Sequence, residues 1–271
     1  MNHFSPVASK LIFAILVVLA WTALSAAARA DTIWAVVVAD TADPGIGASV
    51  DVDRRNVENL LGEIADESGL DLEVHSISGR YLSVQQLAAA LNKIHPGPDD
   101  VVFFYFTGHG MRDMESNDPL PTLAVGNDLV PFRDILTVLD DADPRLVIAL
   151  ADACNRDLDD DGVGAMVVAD NGDNKLWSYK SLFADTKGYY VASSSSPGEL
   201  STTIDERGSA FTKSFITAMR YAMKSANATW STVRDIAAQP IMVHFNENRM
   251  QTPYTMMDIR GLADPLPLYP F

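Results

Sequence analysis

Cys154 is the single cysteine in 271 residues. It closes the segment Ala151-Asp152-Ala153-Cys154, directly after the apolar run LVIAL at residues 146–150. A second apolar run, VVFFYF at 101–106, leads into Thr107-Gly108-His109-Gly110. A thiol and an imidazole placed alike suggest nucleophilic chemistry. A cysteine of pKa about 8.5 is only a few per cent thiolate at neutral pH, and an imidazole that takes its proton makes it an efficient nucleophile. The same imidazole can then protonate a leaving amine. Glycine on both sides of His109 lets a substrate backbone approach. The amides of Gly110 and Cys154 are candidate donors to a tetrahedral oxyanion, worth roughly 3 kcal/mol each in comparable sites. Taken singly, the histidine reads as a turn residue and the cysteine as core filler; it is the pair, at equivalent places, that points to catalysis.

Those places are defined by the elements around them. From Ile33 onward apolar runs alternate with helical patterns, the signature of an α/β fold: a mostly parallel sheet flanked by helices on both faces. IWAVVVA (33–39) reads as a buried strand. Val57, Leu60, Leu61 and Ile64 mark a helix over about 53–68 that Gly69 stops, with Asp51 as its capping acid. A strand is predicted at 72–77, then a helix from the cap Ser83 to Lys93. VVFFYF is apolar on both faces and must be central. A short strand and turn at 123–128, a helix from Phe132 to Leu139, and the strand LVIAL follow. Residues 155–187 are polar and acidic and read as a long loop. Further expectations are a strand at 189–192, a helix opened by Ser209, another opened by Ser231, and an extended Pro-rich tail from Asp264. In such sheets ligands bind beyond the carboxyl ends of the strands. One crossover helix between VVFFYF and LVIAL makes them parallel neighbours, which sets His109 beside Cys154.

Composition narrows the partners. Leu11–Leu24 is an apolar run of 14 residues after Lys10, ending in small residues before Asp31, and reads as a secretory signal over residues 1–30. The mature part, 31–271, is then one domain, exported to a periplasm or the exterior. Removing 1–30 takes away Lys10 and Arg29 and no acid, so the formal charge moves from −16 to −18. Such a field disfavours nucleic acid and anionic membranes and suits basic partners or cations. Exported proteins usually pair their cysteines, so a lone thiol is either an inert buried group or one kept for chemistry.

Other motifs are weaker. Asp157, Asp159 and Asp161 alternate ahead of Gly162 like the first half of a calcium loop, but Val168 stands where a bidentate Glu would. The segment is a candidate calcium site or a solvated acidic linker. Ser193–Ser196 either lines a cleft or makes a polar turn. Gly45-Ile46-Gly47 lacks the third glycine of a dinucleotide loop, and His75, His95 and His244 lack metal-ligand spacing.

The strand-TGHG and strand-DAC blocks resemble the His and Cys blocks of caspase-fold cysteine peptidases, metacaspases most closely. The likeness spans nearly the whole chain after residue 30: Asp51-Val52-Asp53 with Asn56 looks like the start of the family's first helix, and Gly208–Thr212 with Gln251-Thr252-Pro253 like its later segments. The resemblance implies a caspase-like fold and a His109/Cys154 dyad endopeptidase acting on peptides or proteins, with no required cofactor and calcium as an optional one. It also implies a pocket for basic residues built from Asp53, Asp152 and Thr107, because two carboxylates favour Lys or Arg. No Arg stands in 45–50, where caspases carry one for a substrate Asp. The acidic loop occupies the place of the family's intersubunit linker, with Lys175, Lys180 and Lys187 as candidate self-cleavage points. The competing expectation is a non-catalytic caspase-like module that binds basic peptides or calcium.

Overall fold

A computed structural model describes residues 31–156, 179–204, 207–223, 228–244 and 248–262. Residues 1–30, read above as a signal, the acidic residues Asp157, Asp159 and Asp161 of the expected calcium site, Lys175, and the tail from Asp264 lie outside the described residues.

Six strands form the central sheet, in the order β13-β8-β7-β3-β1-β2. They are β1 (Thr32–Ala39), β2 (Asp71–Ser78), β3 (Val101–Thr107), β7 (Leu146–Asp152), β8 (Thr186–Ser193) and β13 (Tyr254–Gly261). The first five run parallel and β13 pairs antiparallel with β8. Side chains alternate across the sheet. Ile33, Ala35 and Val37 of β1, with Val101, Phe103 and Tyr105 of β3, pack under three helices: α1 (Gly47–Ser68), α5 (Ala210–Ala222) and α6 (Trp230–Ala237). Trp34, Val36 and Val38, with Val102, Phe104 and Phe106, pack under α2 (Val84–Leu91) and α3 (Phe132–Asp141). Coverage on both sides is why these strands are apolar throughout. β2 at the edge is polar and largely exposed, which blunts edge-to-edge pairing.

Several boundaries differ from the sequence reading. α1 starts at Gly47, six residues before Asp53, because Asp43 turns the chain into it: the Gly47 amide donates to the Asp43 carbonyl at 2.9 Å. Asp51 therefore does not cap the helix but ion-pairs within it, with Arg54 at 2.7 Å. Thr229, not Ser231, caps α6 through the Thr232 amide. The loop expected to run to 187 ends earlier, since α4 (Lys180–Phe183) and β8 are ordered there. Buried Arg145 ties them down, its Nη1 donating to the carbonyls of Phe183 at 2.9 Å and Thr186 at 2.6 Å. Lys187 thus lies in a sheet strand and Lys180 in a helical turn, neither in the extended loop that self-cleavage at these points requires. The turn near 127 is part of a small antiparallel sheet, β4 (Gly110–Met111), β5 (Thr122–Val125) and β6 (Asp128–Pro131). Two further pairs are short hairpins, β9 (Thr203–Ile204) with β10 (Gly208–Ser209), and β11 (Ile241–His244) with β12 (Asn248–Gln251).

Candidate active site

β3 and β7 end in register, Thr107 opposite Asp152. His109 and Cys154 each lie two residues beyond that pair. The two loops are stitched together, the Gly108 amide donating to the Asp152 carbonyl at 3.1 Å. Gly110 presses on the cysteine loop: a Cβ there would stand 2.7 Å from the Ala153 Cβ and 2.8 Å from the Cys154 carbonyl. Only glycine permits that approach. The Gly110→Ala protein should lose about 10- to 100-fold in turnover and about 1–3 kcal/mol in stability, because the added methyl must push the histidine loop off the cysteine loop. Steady-state kinetics and thermal denaturation measure both; wild-type values would mean that the loops do not abut.

The serine run does more than make a polar turn. Ser193, Ser194 and Ser195 are fully buried. The Ser194 hydroxyl accepts from the Ala153 amide at 3.0 Å, and the Ser194 and Ser195 hydroxyls donate to the Ala153 carbonyl at 2.9 and 3.0 Å. Asn155, also buried, donates its side-chain amide to the Pro119 carbonyl at 2.8 Å, and its backbone amide donates to the Glu199 carbonyl at 3.0 Å. Cys154 is thereby clamped on both sides. Its sulfur accepts from the Ser201 amide at 3.4 Å. Burial pushes the thiol pKa up and the nearby Asp152 adds to this, while the Ser201 amide opposes it.

His109 is half exposed, and its Nε2 lies 3.1 Å from Oδ2 of Asp43 on the β1–α1 loop. In the sequence this loop stands out only for Gly45-Ile46-Gly47, and nothing marks Asp43. No spacing rule links residues 43 and 109, which the parallel β1–β3 pairing brings together.

Asp53 and Asp152 meet beneath the site. Both are buried, with exposures of 0% and 4%. Both Asp53 oxygens accept from the Ser209 amide at 2.9 Å. Asp152 accepts from the hydroxyls of Ser201 at 2.7 Å, Thr212 at 2.6 Å and Ser209, and from the Thr212 amide at 3.2 Å. Burial first, and then the Asp152 charge, push the Asp53 pKa up to about 8, against the Ser209 bonds and Lys213. Burial likewise raises Asp152, against its hydroxyl and amide donors. Thr107, buried, joins this nest through Tyr105, whose hydroxyl lies 2.6 Å from that of Thr212. Gly208, at φ +86°, packs so closely that a Cβ would collide with Asp53 Oδ1. Asp53, Asp152 and Thr107, expected from the resemblance to line a pocket for basic residues, lie close together, but all three are buried. Ser201, Ser209 and Thr212 seal the carboxylates from solvent.

A family model for the caspase domain matches residues 35–260. The chain belongs to the caspase domain family of cysteine peptidases. Its fold is similar to that of a structural-genomics protein from Geobacter sulfurreducens (14% identity, TM-score 0.53, 87% of this chain and 95% of the other). It is similar also to caspase-1 from Spodoptera frugiperda (14% identity, TM-score 0.54, 84% of this chain and 87% of the other). None of the curated proteins matches the sequence significantly.

Proposed function

We propose that the protein is a cysteine endopeptidase that cleaves after Arg or Lys. The observation that carries this reading is the register of β3 and β7, which sets His109 and Cys154 at equivalent positions on abutting loops beyond the same sheet edge. His109 takes the Cys154 proton and the sulfur adds to the scissile carbonyl carbon. The Gly110 and Cys154 amides hold the resulting oxyanion. Collapse of the tetrahedral species breaks the C–N bond, and His109 gives its proton to the departing amine. Water, deprotonated by the same imidazole, then hydrolyses the thioester and restores the thiol. Asp53 and Asp152, with Thr107 beside them, supply paired negative charge for a guanidinium or ammonium group. Entry of that group displaces the seryl hydroxyls that bond to Asp152.

The reading is tested with short peptides identical except for Arg, Lys or Asp before the scissile bond. The Arg and Lys peptides should be cut at least about 100-fold faster than the Asp peptide, since a third carboxylate entering this nest is repelled. Faster cleavage of the Asp peptide would overturn the pocket assignment. One observation favours a non-catalytic module that binds basic peptides: the raised pKa of the Cys154 thiol. Such a module would leave every peptide uncut while still binding the Arg and Lys forms.

A further inference from the structure

We propose that Asp43 is the positioning residue of the site: its carboxylate holds the proton of His109 on Nε2 and so leaves Nδ1 as the nitrogen that takes the proton of Cys154. The proposal rests on the peptidase reading for its consequence but on separate contacts for its geometry.

The two oxygens of Asp43 have separate tasks. Oδ1 accepts the amides of Gly45 at 2.7 Å and Ile46 at 2.9 Å, closing the turn that feeds α1. Oδ2 faces Nε2 of His109 at 3.1 Å. With Oδ1 fixed by two amides, the carboxylate cannot rotate away from the ring without breaking the turn. Burial works against the charge on Asp43, but the Ile46 and Gly45 amides and the imidazole outweigh it, and its pKa lies below the ordinary carboxylate range. The other acid of the loop, Asp40, is shifted the opposite way, by burial and by the Asp43 charge. Asp43 is thus the acid kept ionised beside the ring, and an ionised carboxylate only accepts hydrogen bonds. Nε2 must therefore donate. In a neutral imidazole the other nitrogen is then an acceptor, the form needed to receive a thiol proton. In the step itself, the S–H bond breaks and an N–H bond forms at Nδ1, giving a thiolate and an imidazolium whose positive charge Asp43 stabilises.

Asp43→Asn separates the two tasks. The amide oxygen can replace Oδ1 at the turn, while the NH₂ group faces Nε2 and donates to it. The ring proton is driven to Nδ1, the wrong nitrogen. The expected result is a fall in kcat of about 10²- to 10⁴-fold, as for loss of the orienting acid in a serine triad, with KM changed by less than about threefold. The melting temperature should stay within about 2 °C, and the rate of Cys154 alkylation by iodoacetamide should fall with kcat. In a Cys154→Ala background at pH 9, nitrogen NMR of His109 should show the ring proton on Nε2 with Asp43 and on Nδ1 with Asn. A kcat kept or raised in Asp43→Asn, an unchanged tautomer, or a loss of activity that follows a loss of melting temperature would each overturn the proposal. If wild type cuts no peptide yet the tautomer and the alkylation rate depend on Asp43, the peptidase reading fails and the positioning role stands. If wild type cuts Arg peptides and Asp43→Asn does so equally well, the reverse holds.

Discussion

Cys154→Ala should lower hydrolysis of an arginine-containing peptide by at least about 10⁴-fold, an effect of about 5 kcal/mol on the barrier. No other side chain among the described residues at the rim of β3 and β7 offers a comparable nucleophile. Ser201 is bonded to Asp152, and Ser194 and Ser195 are buried against Ala153. The fold should tolerate the change. The sulfur's contacts are with Ser201, at 3.4 Å to its amide and 3.7 Å to its carbonyl, and the loop is held instead by the serine clamp and Asn155. The melting temperature should therefore move by no more than a few degrees while turnover vanishes. Retained turnover in Cys154→Ala would remove the thiol from the chemistry. Cys154→Ser should be nearly as inactive, because a hydroxyl beside an imidazole in a site shaped for sulfur is a far weaker nucleophile.

Neutralising the buried acids is the second large effect. Asp53→Asn and Asp152→Asn should each lower kcat/KM for an Arg peptide by about 10- to 100-fold, and the double variant by about 10²- to 10³-fold. The sum will be non-additive because the two charges act on each other. The pH dependence follows from the same pair. With a pKa of about 8, Asp53 is protonated at neutral pH in the free protein. A cation entering the nest favours the ionised form, so binding releases a proton below pH 8. KM for an Arg peptide should fall as pH rises from about 6 to 8, then level off, and the slope should disappear in Asp53→Asn. A KM independent of pH in wild type would show that Asp53 does not meet the substrate.

Stability should run the other way. The ordinary value for this carboxyl is 3.8 and the folded value is about 8, so between them the folded state binds the extra proton. The contribution of Asp53 to stability is fully present below about pH 4 and is lost as pH rises through 8. Substrate charge and fold stability thus make opposite demands on one carboxyl. Asp53→Asn should flatten this part of the stability profile, as measured by denaturant unfolding between pH 5 and 9.

Much of the molecule could be read directly from the chain. Runs such as IWAVVVA, VVFFYF and LVIAL are apolar at every position, which is stable only in strands covered on both faces, so a helix-flanked parallel sheet follows from local pattern alone. A single helix between two of those runs limits their connection to a parallel crossover. That constraint, with the shared position of His109 and Cys154 after each run, made the pairing of β3 with β7 and the abutting of the two loops legible. The groups that tune the site were not legible in this way. Asp43 lies 66 residues from His109, and Ser209 and Thr212 lie 57 and 60 residues from Asp152. Asp43 looks locally like a turn residue, Ser209 like a cap, which for α5 it is, and Thr212 like an ordinary residue of that helix's first turn. β13 was missed because YTMMDIRG carries no strong period and becomes a strand only by pairing with β8. Local pattern depends on which residues must be apolar, and that is written into neighbouring positions. The ionisation of the acids, the direction of the imidazole and the closure over Asp53 and Asp152 depend instead on burial and on partners distant in the chain, and these exist only once the strands have paired and the helices have closed over them.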